Sequence, residues 1–96
     1  MSDESRWFSV EDKIDRIVIC LTVSEIPGED GAREVGQALD AVFDQFPGRK
    51  LELDISALTY VSSAFVGRLI SFHRRIVSAG RTLQLTGRLP EGLDFL

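Results

Sequence analysis

The chain has one cysteine, one histidine, one tryptophan and one tyrosine in 96 residues. A single thiol, Cys20, excludes any disulfide within the chain. It lies in an apolar run, where a free cysteine is expected to be a small core residue. With only His73 available, and no second histidine or cysteine at ligand spacing, the usual zinc patterns are excluded and no metal is expected. No glycine-rich phosphate loop is present, and no cofactor is implied. No apolar stretch approaches the ~20 residues of a membrane span. The first residues, Met1-Ser2-Asp3-Glu4, are polar and acidic, unlike a signal peptide, so the expected location is cytoplasmic. Basic residues are the minority, 11 against 15 acids, for a net charge of −4 and a pI near 4.9. That argues against non-specific nucleic-acid binding, which needs a basic surface.

What is present suits one small globular domain spanning residues 1–96. Hydrophobic residues make up 44%, too many for a disordered chain. The charge is unevenly spread. Residues 1–48 carry 11 acids and 4 bases, whereas residues 49–96 carry 4 acids and 7 bases. The ordinary reading is two differently solvated faces. The sharper one is a basic helix that meets an acidic partner.

Trp7, Phe8 and Val10 predict a first strand over Arg6 to Glu11. Arg16 to Val23, rich in β-branched residues, predicts a second. The short polar link between them implies an antiparallel hairpin. Ser24 to Asp30 reads as a loop, with Asp30 as the N-cap of the helix that follows. Val35, Leu39, Val42, Phe43 and Phe46 then form one stripe at helical spacing, which Pro47-Gly48 ends. Leu51, Leu53 and Ile55 alternate with Glu52 and Asp54, a strand with one covered face. A second helix is expected from Ser63 to Ala79, with an apolar arc of Phe65, Val66, Leu69, Ile70, Ile76 and Val77. His73 falls within that arc, and Gly80 fits its C-terminal cap. Thr82 to Thr86 is the last strand. Strand–helix–strand–helix–strand order implies parallel strands joined by right-handed crossovers. The alternation adds that both helices cover the same face and leave the other wet. The expected fold class is therefore α/β: a small mixed, mostly parallel sheet with helices on one side.

Catalytic chemistry is hard to write on this chain. Glu52 and Asp54 share a strand face, where paired acids usually serve solubility. A triad of Ser63, His73 and Asp54 fails on reach, since ten helical residues separate Ser63 from His73 by roughly 15 Å. No catalytic residue is assigned. What remains is Ser62-Ser63 at the start of the second helix. One serine is explained by capping. The other offers a phosphorylation site, because a helix N-terminus stabilises the added negative charge. A small-ligand site on the wet sheet face or the loop ends is a third class of reading.

The stretch Leu51-Glu-Leu-Asp-Ile-Ser-Ala-Leu-Thr-Tyr-Val-Ser-Ser-Ala-Phe-Val-Gly-Arg-Leu-Ile, followed by Ser-Ala-Gly-Arg-Thr-Leu-Gln-Leu-Thr-Gly87, resembles the STAS domain, the fold of bacterial anti-sigma factor antagonists. The resemblance runs from about Phe8 to Gly87. It implies a non-enzymatic regulatory module that binds an anti-sigma factor or serine kinase and is switched by phosphorylation. The family's phosphorylated serine in Asp-Ser-Ser-Gly falls on Ser63, with Ser62 as the neighbouring candidate. The family aspartate falls on Ser62, its second serine on Ala64 and its glycine on Phe65. Partner-binding positions implied are Ser62, Ser63, Ala64, Phe65, Gly67 and Arg68. A variant motif also resembles STAS adaptors that act without phosphorylation, such as accessory subunits of lipid-transport ATPase complexes or components of stress-signalling scaffolds. Leu93, Phe95 and Leu96 allow barely one turn after Pro90. The resemblance therefore implies an abbreviated last helix, with uncovered apolar surface that would favour a homodimer.

Overall fold

The computed structural model of the protein describes residues 6–87. Two β-strands, β1 (Phe8–Asp12) and β2 (Arg16–Leu21), are followed by α1 (Gly28–Gln45), β3 (Lys50–Asp54), α2 (Ser63–Ser78) and β4 (Leu83–Thr86). The sheet order is β1-β2-β3-β4. β1 pairs antiparallel with β2, with Phe8 opposite Leu21, and the other two pairings are parallel. A parallel pair cannot be closed by a tight turn, so α1 and α2 serve as its crossovers. The expected mixed, mostly parallel sheet is the one observed. The expected last helix and Pro90 lie outside the described residues.

Alternation along the strands sets the layers. Ile17, Ile19, Leu21, Leu51, Leu53 and Ile55 are buried toward the helices, together with Phe8. Val35, Leu39 and Val42 of α1 meet them, as do Phe65, Leu69, Phe72 and Ile76 of α2. The α2 ridge differs from the expected arc. Spacings of four, three and four residues bring Phe65, Leu69, Phe72 and Ile76 within about 60° of one another around the helix. Phe72 therefore belongs to the buried ridge, whereas Val77 lies off it and is 54% exposed. Val66, Ile70 and His73 are half-buried beside it rather than at its centre.

Two further expectations change. Asp30 is not the cap of α1. The helix begins two residues earlier, with Pro27 at the N-cap position and the Gly31 N–H donating to Pro27 O at 3.1 Å. Asp30 sits inside the first turn, where its charge suits the dipole, and pairs with Arg33 at 2.7 Å. Nor is Cys20 a core residue. It alternates out of phase with Ile19 and Leu21, so it lies half-buried on the far side of the sheet.

That far face carries a cross-strand polar ladder rather than bare acids. Arg16 Nε donates to Glu52 Oε1 at 2.6 Å, and Thr86 Oγ1 donates to Glu52 Oε2 at 3.2 Å. Val18, on the same face, is buried beneath this layer. Loop ends are fixed by arginines from distant parts of the chain. Arg49 binds Asp12, Lys13 O and Arg16 O and so closes the β1–β2 turn. Arg81 donates to Phe43 O and Phe46 O at the end of α1 and to Arg49 O just before β3.

Candidate protein-binding surface

The stretch between β3 and α2 is built from its two ends. β3 finishes with Asp54, whose Oδ1 accepts the Ser56 N–H at 2.9 Å and the Ser56 hydroxyl at 2.7 Å. These bonds hold the Asp54 carboxyl below its usual range, the hydroxyl contributing most. The Cys20 thiol lies 3.6 Å from Asp54 Oδ2. Burial, followed by that carboxylate, pushes the thiol pKa up, away from thiolate reactivity. Gly87 approaches the same turn so closely that a Cβ there would stand 2.8 Å from Ser56 N. Leu58 is buried beneath the turn, and the Thr59 N–H donates to Ser24 O at 2.8 Å, joining the loop to the one before α1.

On this anchored loop Tyr60 stands 60% exposed. Two residues later Ser62, extended at φ −83° and ψ 157°, caps α2 by accepting the Phe65 N–H at 3.2 Å. Ser63, the first helical residue, is exposed, and the first turn of α2 holds no acid. Ala64 is half-buried, and Gly67 and Arg68 are exposed. Phe65 is 1% exposed and belongs to the core, so it supports the surface from beneath without reaching a partner. Of the implied positions, the structure thus brings Ser62, Ser63, Ala64, Gly67 and Arg68 to one end of α2 at the surface and places Phe65 inside.

Tyr60 is the surface residue that sequence reasoning passed over. The available signal was an aromatic in a loop, outside every periodic stripe. Ala64 and Arg68 also line a shallow depression with Glu29, Ala32 and Arg33 of α1. Among the described residues no cluster of three potential metal ligands occurs, and no helix is long and apolar enough to cross a membrane.

A family model described as "Mlab, STAS domain" matches residues 11–96. The chain belongs to the STAS family. The match begins at the end of β1 and takes in β2 and the described elements after it, including the β3–α2 junction. No curated protein matches the chain in sequence. A solved structure titled "Crystal Structure Analysis of Mglu" is similar, with a TM-score of 0.67 and 20% identity over 88% of this chain. The STAS domain described here spans only 20% of that protein's length, and at this identity the likeness concerns the fold alone. STAS domains are generally binding modules, and the start of α2 presents Tyr60, Ser63 and Arg68 as exposed side chains.

Proposed function

We propose that this STAS domain is a non-catalytic cytoplasmic adaptor that docks on a larger protein assembly through Tyr60 and the first two turns of α2. The observation that carries this reading is Tyr60, 60% exposed on a loop tied by hydrogen bonds to its neighbours. Tyrosines are over-represented among interface anchors, because a rigid ring contributes large contact area at little entropic cost. The sequence resemblance to STAS adaptors, among them accessory subunits of lipid-transport ATPase complexes, supports an assembly as the partner. Affinity purification of the tagged protein from its own host tests the reading. Tyr60→Ala and Ser63→Arg are expected to lower recovery of the co-purifying assembly at least tenfold without changing the melting temperature. Unchanged recovery with both variants contradicts it.

A second reading is favoured by Ser63, an exposed hydroxyl in a first turn that has no carboxylate to repel a phosphate. In this reading the domain is a switched antagonist of an anti-sigma factor or its kinase, released by phosphorylation at Ser63. Mass spectrometry of the protein from its host separates the two. The antagonist reading expects phosphate on Ser63 and loss of the partner with Ser63→Asp. The adaptor reading expects neither.

A further inference from the structure

The seam between α1 and α2 has an unusual floor. Gly36 is buried in the middle of α1, where glycine costs about 0.5–1 kcal/mol relative to alanine. The reason lies across the seam. A Cβ at position 36 would stand 3.2 Å from Arg68 Cδ and 3.6 Å from Arg68 Cβ and Cγ. The aliphatic stem of Arg68 therefore lies flat on the glycine, which fixes where its guanidinium emerges.

The other arginines along the seam are neutralised. Arg75 holds Asp40 at 2.9 Å and Asp44 at 2.8 Å, and Arg33 holds Asp30 at 2.7 Å. Arg68 has no hydrogen-bond or ion-pair partner among the described residues. Glu29 lines the same depression without reaching ion-pair distance. On either side of Arg68 the seam opens into depressions of about 270 and 180 Å³. Both fall below the roughly 300–1,000 Å³ of small-ligand pockets. They suit single side chains of a partner protein better than a bound metabolite.

We infer that the α1–α2 seam receives a segment of the partner protein, and that an aspartate or glutamate on that segment pairs with Arg68. The inference rests on the adaptor reading and specifies the chemistry of its partner. A carboxylate there pairs the one arginine of the seam that holds no acid among the described residues, and flanking side chains of the segment fill the two depressions. Arginine suits the role because its planar fork binds a carboxylate bidentately, and its stem is already ordered on Gly36.

The test uses the full chain in its own host, with a photo-crosslinking amino acid in place of Gln37, which lines the seam, or in place of Ser63. The Gln37 probe is expected to capture a segment that contains an aspartate or glutamate. Arg68→Glu should lower that capture at least tenfold, and Arg68→Lys should lower it less. Changing the captured acid to lysine should restore capture by the Arg68→Glu protein. Capture by the Ser63 probe but not the Gln37 probe overturns this inference and leaves the adaptor reading standing. Capture by neither overturns both. A captured segment without an acid, or capture indifferent to Arg68→Glu, overturns the pairing.

Discussion

Ser62 Oγ accepts the Phe65 N–H at 3.2 Å, so the residue that opens the candidate binding surface is bonded to the residue that anchors α2 in the core. One side chain thus fixes both the start of the helix and the position of Ser63 beside it. The surface is displayed by the core.

Removing that cap should be felt in stability. Ser62→Ala is expected to destabilise the fold by about 0.5–2 kcal/mol, whereas Ser62→Asp, which restores an acceptor, should come close to wild type. Ser63→Ala should stay within about 0.5 kcal/mol, as exposed positions generally do. Urea unfolding of the three variants checks the order.

Two glycines should respond in opposite directions to the same change. Gly87 has φ +95° and no room beside Ser56, so Gly87→Ala should cost about 1–3 kcal/mol. Gly67 is helical, and a Cβ there would meet nothing within 4 Å. Gly67→Ala should therefore stabilise the fold by about 0.5–1 kcal/mol. Thermal melts of both variants read the contrast.

Arg81 supplies the C-terminal cap that α1 lacks, since the last turn of that helix holds no basic residue. Its guanidinium also lies 4.4 Å from the Phe43 ring centroid, and that of Arg75 lies 4.6 Å from the same centroid. Arg81→Met should destabilise the protein by about 1.5–3 kcal/mol, the range for hydrogen bonds to a charged donor. Arg81→Lys should recover only part of this, because a single ammonium cannot span the carbonyls a fork reaches. Denaturant midpoints distinguish the two.

Asp54 links the fold to pH. Its carboxyl is held below the usual range by the Ser56 hydroxyl and N–H, so below neutrality the unfolded chain takes up its proton first. The stabilisation is fully present above the unfolded-state pKa of about 3.9 and disappears as pH falls through the lower folded value. Asp54→Asn keeps an acceptor for Ser56 but cannot titrate. Its stability should fall less steeply than wild type below about pH 4, as acid titration followed by circular dichroism would show.

The parts of the fold that follow from short-range periodicity were legible in the sequence. Leu51, Leu53 and Ile55 against Glu52 and Asp54 gave β3 its buried face, and Ser62 announced a cap. Misreadings arose where neighbouring signals competed. Pro27-Gly28 resembles loop punctuation, yet Pro27 O accepts the first bond of α1, which moves Asp30 inside the helix. Phe72 was overlooked because the apolar residues of α2 extend beyond its ridge, and Val66, Ile70 and Val77 widened the expected arc. Cys20 sat in an apolar run whose alternation turns it outward. The roles of Arg49, Arg81 and Gly36 depend on residues more than 30 positions away, and no local pattern encodes them. The exposure of Ser63 and Arg68 was legible from their places outside the apolar arc of α2, whereas that of Tyr60, in a loop, was not.

Hydrogen exchange on the domain alone and within its purified assembly is the most direct test of where it binds. The first N–H groups of α2, at Ser63 and Ala64, have no carbonyl partner within the helix and should exchange rapidly in the free protein. Binding through this surface predicts marked slowing of peptides spanning residues 59–68, with the edge strand β1 and its neighbour β2 unchanged. Slowing confined to β1 and β2, with residues 59–68 still exchanging at the free rate, would contradict the account.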